Sequence, residues 1–193
     1  MTDLDKDLLV GQYARLREAV VWKVDGASEY DVRRPLTPTG TNLLGLVKHL
    51  TCCEAGYFGA TFGRPLDVSL VLDAADDPDT DMWALPGESR ELILCQYESA
   101  WRHALETFAG AGLDAPGTVP HWPADRADVT LGQILLHMTI ETARHLGHMD
   151  ILREQIDGSA GRFADLSNLG AADETARRAH VNRVRAAAES FRL

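Results

Sequence analysis

Residues 130–158, TLGQILLHMTIETARHLGHMDILREQIDG, decide how the chain is read, because here a core-like helical stripe carries groups that do not belong in a core. Ile134, Met138 and Leu152 recur at helical spacing, with Thr130 placed to open the helix and Gly158 to stop it. At about 100° per residue, Glu141, His145 and His148 fall within roughly 60° of arc on that side, and His137 lies near the same line. Buried without partners, a carboxylate and imidazoles cost several kcal/mol. Mutual hydrogen bonds, another helix or a metal must therefore satisfy them.

Axial rise narrows the choice. At about 1.5 Å per residue, Glu141 and His148 stand roughly 10 Å apart, too far to share one ion without stretching. Glu141 with His145 (i, i+4) and His145 with His148 (i, i+3) are the pairs one helix can offer a metal, and His145 belongs to both. A third ligand must come from another helix. LVKHL at 46–50 supplies His49, on a face with Leu46, Cys53 and Gly56, where Gly45 and Gly56 leave space. Three His/carboxylate donors in a dry pocket leave a position open for water or substrate, as in catalytic zinc sites, and nickel or iron(II) accepts the same donors. A hydrogen-bonded cluster without metal accounts for the same residues.

Working outward, three more segments carry the helical period. The first runs from about Asp3 to Asp25 with Leu4, Leu8, Tyr13, Leu16, Val20 and Val24 as its stripe. The second runs from a cap at Thr41 or Asn42 to Gly63, so continuously apolar that it should be central. The third opens at Glu88 or Ser89 and carries Leu92, Ile93, Cys95, Tyr97, Trp101, Leu105 and Phe108 as far as the GAG at 110–112. The acidic connection at 67–89, DVSLVLDAADDPDTDMWALPGES, reads as a solvated loop rather than a lid. Short turns imply antiparallel neighbours, although this connection could support a crossover. Beyond Gly158, DETARRAHVNRVRAAAESF at 173–191 predicts a basic helix capped by Asp173 and packed on the outside. The expected class is all-α: a four-helix bundle over 1–158 and a C-terminal extension, 159–193, with one additional helix.

Composition excludes several roles. With 29 acidic against 19 basic residues and a net charge of -10, the 193-residue chain has no electrostatic reason to seek nucleic acid or anionic lipid. No run is long enough to span a membrane, and the acidic N-terminus lacks a secretory signal, so a cytoplasmic location is expected. Cys52, Cys53 and Cys95 are odd in number and read as reduced, buried thiols. No phosphate-binding glycine loop and no Gly-x-Ser-x-Gly elbow occurs.

TNLLGLVKHLTCCEAGYF at 41–58, together with the helix at 130–158, resembles the DinB-like (DinB/YfiT) superfamily of four-helix metalloproteins, and within it an actinobacterial branch related to mycothiol-dependent enzymes. The resemblance covers about residues 5–158. The superfamily's last bundle helix usually reads His-x-x-x-His-x-Gly-Gln; here Glu141 stands first, His145 second, Gly147 at the glycine and His148 in place of the glutamine. A glutamate in the first position is also found in the mycothiol-dependent maleylpyruvate isomerases. The resemblance implies a DinB-like bundle with His49, Glu141 and His145 on a divalent metal, zinc foremost, and with His148 as a fourth ligand, an exchanging ligand or a hydrogen-bonding neighbour. Arg144 and Asp150 would be orienting charges or surface salt bridges. It further implies a low-molecular-weight thiol such as mycothiol as cosubstrate, a small electrophile as its acceptor, and a homodimer by analogy.

The remaining polar and aromatic residues have two readings each. Cys53 is a soft ligand or a small core residue, and His137 orients Glu141 or sits satisfied in the core. His121 and Trp122, in VPHWP at 119–123, close over the metal end or anchor a surface turn, and Trp83 has the same pair of readings. His103 and His180 read as solvated. The expected activity is a metal-dependent, mycothiol-type S-transferase. A noncatalytic metal- or ligand-binding stress protein and a metal-assisted hydrolase are the alternatives, and dependence on a thiol separates the three.

Overall fold

Nine of the twelve residues of helix α3 (Leu43–Glu54) are buried, on every side of the helix, which makes it the central element that its continuous apolar sequence predicts. The computed structural model describes residues 3–70, 77–167, 169–170 and 173–192. Residues 71–76 of the acidic connection and the side chain of Leu4 lie outside the described part. Around α3 stand α1 (Asp3–Val24), α4 (Arg90–Gly110) and α5 (Leu131–Asp157), with a short α2 (Glu29–Arg33) in the first connection. The protein is an all-α, DinB-like four-helix bundle followed by one more helix.

Capping chemistry sets the helix ends. The Asn42 side chain accepts from the Gly45 amide at 2.8 Å, Ser89 accepts from Leu92, and Thr130 forms a reciprocal box with Gln133. Gly158, at φ 78°, takes the left-handed conformation that stops α5. After Glu54 the second helix widens into one π-helical turn, Ala55–Gly59, and tightens into a 3₁₀ turn, Ala60–Phe62, before Gly63. A two-stranded hairpin, β1 (Pro116–Thr118) with β2 (Asp128–Thr130), precedes α5 with Gly117 paired to Val129. Gly117 is required there: a Cβ would stand 2.7 Å from the Phe62 ring and 2.8 Å from the Thr61 carbonyl.

Side-chain bonds between helices fix their directions. Lys6, at the start of α1, donates to the Phe108 and Ala111 carbonyls at the end of α4, whereas Lys23, at the end of α1, pairs with Asp150 late in α5. Thus α1 runs against α4 and alongside α5. Thr107 donates to the Phe58 carbonyl while Lys48 pairs with Glu88, so α3 and α4 are parallel. Not all neighbours are antiparallel, then: the order is up, down, down, up, and the connection at 63–89 is the crossover that two parallel helices demand.

That connection is more than a solvated loop. It crosses α3 with Thr80 buried and a 3₁₀ turn at Thr80–Met82, and the buried Lys48 ammonium holds it by donating to the Thr80 and Trp83 carbonyls. Gly45 makes the crossing possible, because a Cβ there would lie 1.8 Å from the Met82 carbonyl oxygen. The space left by Gly45 is filled by this backbone rather than by a ligand.

Two apolar clusters fill the bundle ends, one around Leu46, Ile93, Met149 and Leu152, the other around Phe58, Phe108, Leu131 and Met138. Between them lies a polar layer: Arg17 Nε and the Tyr13 hydroxyl both donate to Glu54 Oε1, at 2.6 and 2.7 Å, and the guanidinium covers the Tyr97 ring. The stripes differ in phase from expectation at some positions. Leu8 is 65% exposed and Leu9 packs inward instead; Cys95 and Leu105 are exposed, and Ala100 and Ala104 carry the α4 seam. Cys95 is therefore not a buried thiol.

The extension begins against the bundle. Ala160 is buried, Lys23 donates to the Gly161 carbonyl and the Trp22 indole to that of Arg162. Helix α6 (Glu174–Glu189) buries none of its residues, contrary to the packed helix expected from sequence. Its apolar side chains Val181 and Val184 stay exposed.

Candidate metal centre

His49 leaves α3 toward α5, where Glu141 and His145 sit one turn apart on the facing side. One donor atom from each of the three lies within 4.8 Å of the others. His145 Nε2 donates to Glu141 Oε1 at 2.9 Å, and His49 Nε2 stands 3.8 Å from the same oxygen. Donors that share an ion at about 2.1 Å stand roughly 3–4 Å apart, so the two-histidine, one-carboxylate set fits a divalent metal after a closure of about 1 Å.

Asp81 orders the first of these donors. A carboxylate only accepts, so the 2.7 Å contact between His49 Nδ1 and Asp81 Oδ2 puts the imidazole proton on Nδ1. His49 Nε2 is then a lone pair facing Glu141, with the Cys53 thiol 3.5 Å away. This carboxylate–imidazole arrangement is the one that supports metal-binding histidines. Sequence reading missed Asp81, because nothing in its spacing separates it from Asp77 or Asp79 in the same loop.

Burial alone would raise the Glu141 carboxyl, but the hydrogen bond from His145 and the nearby His145, His49 and His137 outweigh it and hold its pKa below the ordinary value. For His145, burial and then the neighbouring His49 push the pKa down, over the opposing pull of Glu141. At neutral pH these are thus a carboxylate and a neutral imidazole, and binding an ion through His145 Nε2 would require the proton shared with Glu141 to move to Nδ1. Burial pushes the thiols of Cys52 and Cys53 up, with carboxylates beside them adding to it, so neither is a ready nucleophile.

His148 is exposed, and its Nδ1 lies 3.4 Å from His145 Nδ1, the ring nitrogen turned away from Glu141. It stands outside the group of three donors. Arg144 is exposed, Asp150 belongs to the Lys23 pair, and His180 is exposed as expected. His103 is half-buried and donates to the Arg64 carbonyl at 2.7 Å, so it is a structural bond rather than a solvated group. Trp83 is partly exposed and donates to Asp77, a surface anchor.

A cavity of about 390 Å³ opens beside the donors, bordered by His49, Cys53, Gly56, Tyr57, His121 and Glu141. A Cβ on Gly56 would meet nothing within 4 Å, so this glycine does leave open space. At the far end, Tyr57 stacks edge-on with His137 and its hydroxyl meets both His121 and the Trp122 indole at 3.2 Å. The VPHWP turn therefore borders the cavity, and the hairpin holds it there through the Val119–Ala127 bond. A larger cavity of about 530 Å³ between α1 and α4 lies on the opposite face, against Trp22, Arg90 and Trp101, with no donor cluster among the described residues.

A comparison with curated proteins returns no match. The family model described as mycothiol-S-transferase matches residues 8–158, a span that takes in all four bundle helices, both faces of the donor cluster and the cavity beside it. The chain belongs to the mycothiol-S-transferase family.

Proposed function

We propose that the protein is a divalent-metal-dependent S-transferase that joins a low-molecular-weight thiol, mycothiol by family, to a small electrophile. The observation that carries this reading is the convergence of His49, Glu141 and His145 beside an open cavity, with Asp81 fixing the tautomer of His49. A metal held there would lower the pKa of a thiol and supply it as thiolate at neutral pH. The protein's own residues do the rest: Asp81 orients His49, Glu141 and His145 complete the donor set, and the half-buried Cys53 keeps its proton and stays out of the reaction. The cavity walls admit an acceptor of limited size. His148 serves as an outer neighbour of His145.

Elemental analysis of the wild type beside His49→Ala and His145→Ala, followed by conjugation assays with mycothiol, tests the reading. Metal retained by the wild type and lost by both variants, with turnover that needs both thiol and metal, is the expected result. Equal metal in all three proteins would sink the site, and thiol-independent turnover would point to a hydrolase. Glu141→Ala should release metal while His148→Ala retains most of it.

A further inference from the structure

The far end of the cavity carries a directed hydrogen-bond chain that the metal cluster does not use. The Trp122 indole N–H can only donate, so at 3.2 Å it makes the Tyr57 oxygen an acceptor and leaves that hydroxyl's single proton for another partner. His121 Nε2, also 3.2 Å away, is one destination, and a guest in the cavity is the other. His121 is exposed, so the chain runs from solvent through His121 to Tyr57 and into the cavity that Glu141 and His49 border. Burial pushes the Tyr57 hydroxyl up, so it holds its proton at neutral pH. The π-helical turn at 55–59 presents this residue, and such turns recur at functional sites.

We propose that Tyr57 is a general acid for electrophiles whose leaving atom is oxygen, epoxides above all, with His121 as the group that returns its proton. The proposal rests on the transferase reading. The thiolate sulfur of the cosubstrate forms a bond to an epoxide carbon, the carbon–oxygen bond breaks, and its electron pair stays on oxygen. That oxygen takes the Tyr57 proton. His121 Nε2 then takes a proton from solvent and passes it to the Tyr57 phenolate, and the product is a β-hydroxy thioether. A halide leaves without a proton, so the same site should turn over an alkyl bromide with no help from Tyr57.

The test compares wild type and Tyr57→Phe with mycothiol and two acceptors, styrene oxide and an alkyl bromide, with metal content measured for both proteins. The phenyl ring keeps the stacking on His137. The expected outcome is a fall in kcat/KM of about 100-fold with the epoxide and within about 3-fold with the bromide, at equal metal content. Equal losses with both acceptors, or no loss with the epoxide, overturn the acid role while bromide turnover still carries the transferase reading. A wild type that conjugates neither acceptor overturns both.

Discussion

Asp81 shows how much of a candidate metal centre sits outside its three donors. His49, Glu141 and His145 are legible in the sequence because helical spacing is periodic: i, i+4 on one helix and a lone histidine on an apolar face of another already define a cluster. Asp81 obeys no period, and only the folded crossover brings it to His49. Asp81→Ala should weaken metal affinity by roughly 10–100-fold while all three ligands remain, read by competition with a chromogenic chelator. Deeper in, Arg17 is the buried partner of Glu54, and both are nearly inaccessible to water. Arg17→Met leaves a buried carboxylate uncompensated and should cost about 3–5 kcal/mol in urea unfolding, while the double variant with Glu54→Leu should regain much of that loss. If the single variant unfolds like wild type, the pair contributes nothing.

At the scale of elements, the four helices and their caps were readable, because Asn42, Ser89, Thr130 and Gly158 act through local chemistry. Phase was less so. Leu8 and Leu9 are both leucines, and only packing against the Phe58–Phe108 cluster decides which turns inward. The π-helical turn and the hairpin at 116–130 depend on close approaches, such as Phe62 over Gly117, that the sequence does not spell out. Two glycines near the site make opposite predictions. Gly45→Ala drives a methyl into the Met82 carbonyl and should lift the crossover from α3, lowering both the thermal midpoint and metal retention. Gly56→Ala projects into open space and should leave stability within about 0.5 kcal/mol, narrowing only the cavity.

For the molecule as a whole, the bundle and its extension separate by burial. A chain ending at residue 172 loses only α6, which buries nothing, and should match the full chain within about 0.5 kcal/mol in chemical denaturation. A chain ending at 158 also removes the Gly161 carbonyl from the buried Lys23 ammonium and should lose about 1–3 kcal/mol. The polar layer gives a second whole-molecule signature. Burial, with Glu54 next, pushes the hydroxyls of Tyr13 and Tyr97 well above the ordinary tyrosine value. Unfolded tyrosines release their protons near pH ~10 while the folded ones keep theirs, so the native state then holds more protons and stability falls as pH rises. Urea midpoints should hold steady from neutral pH up to that point and drop above it, and Tyr97→Phe should make the drop shallower.

The up, down, down, up order also sets a timetable. Because His49 is carried on α3 and Glu141 and His145 on α5, with α4 made in between, the three donors come together only when α5 packs across α3. During synthesis His49 leaves the ribosome long before Glu141 and His145, and a lone imidazole on an unfinished helix has little to offer an ion. The three-donor cluster is thereby assembled only on the completed bundle.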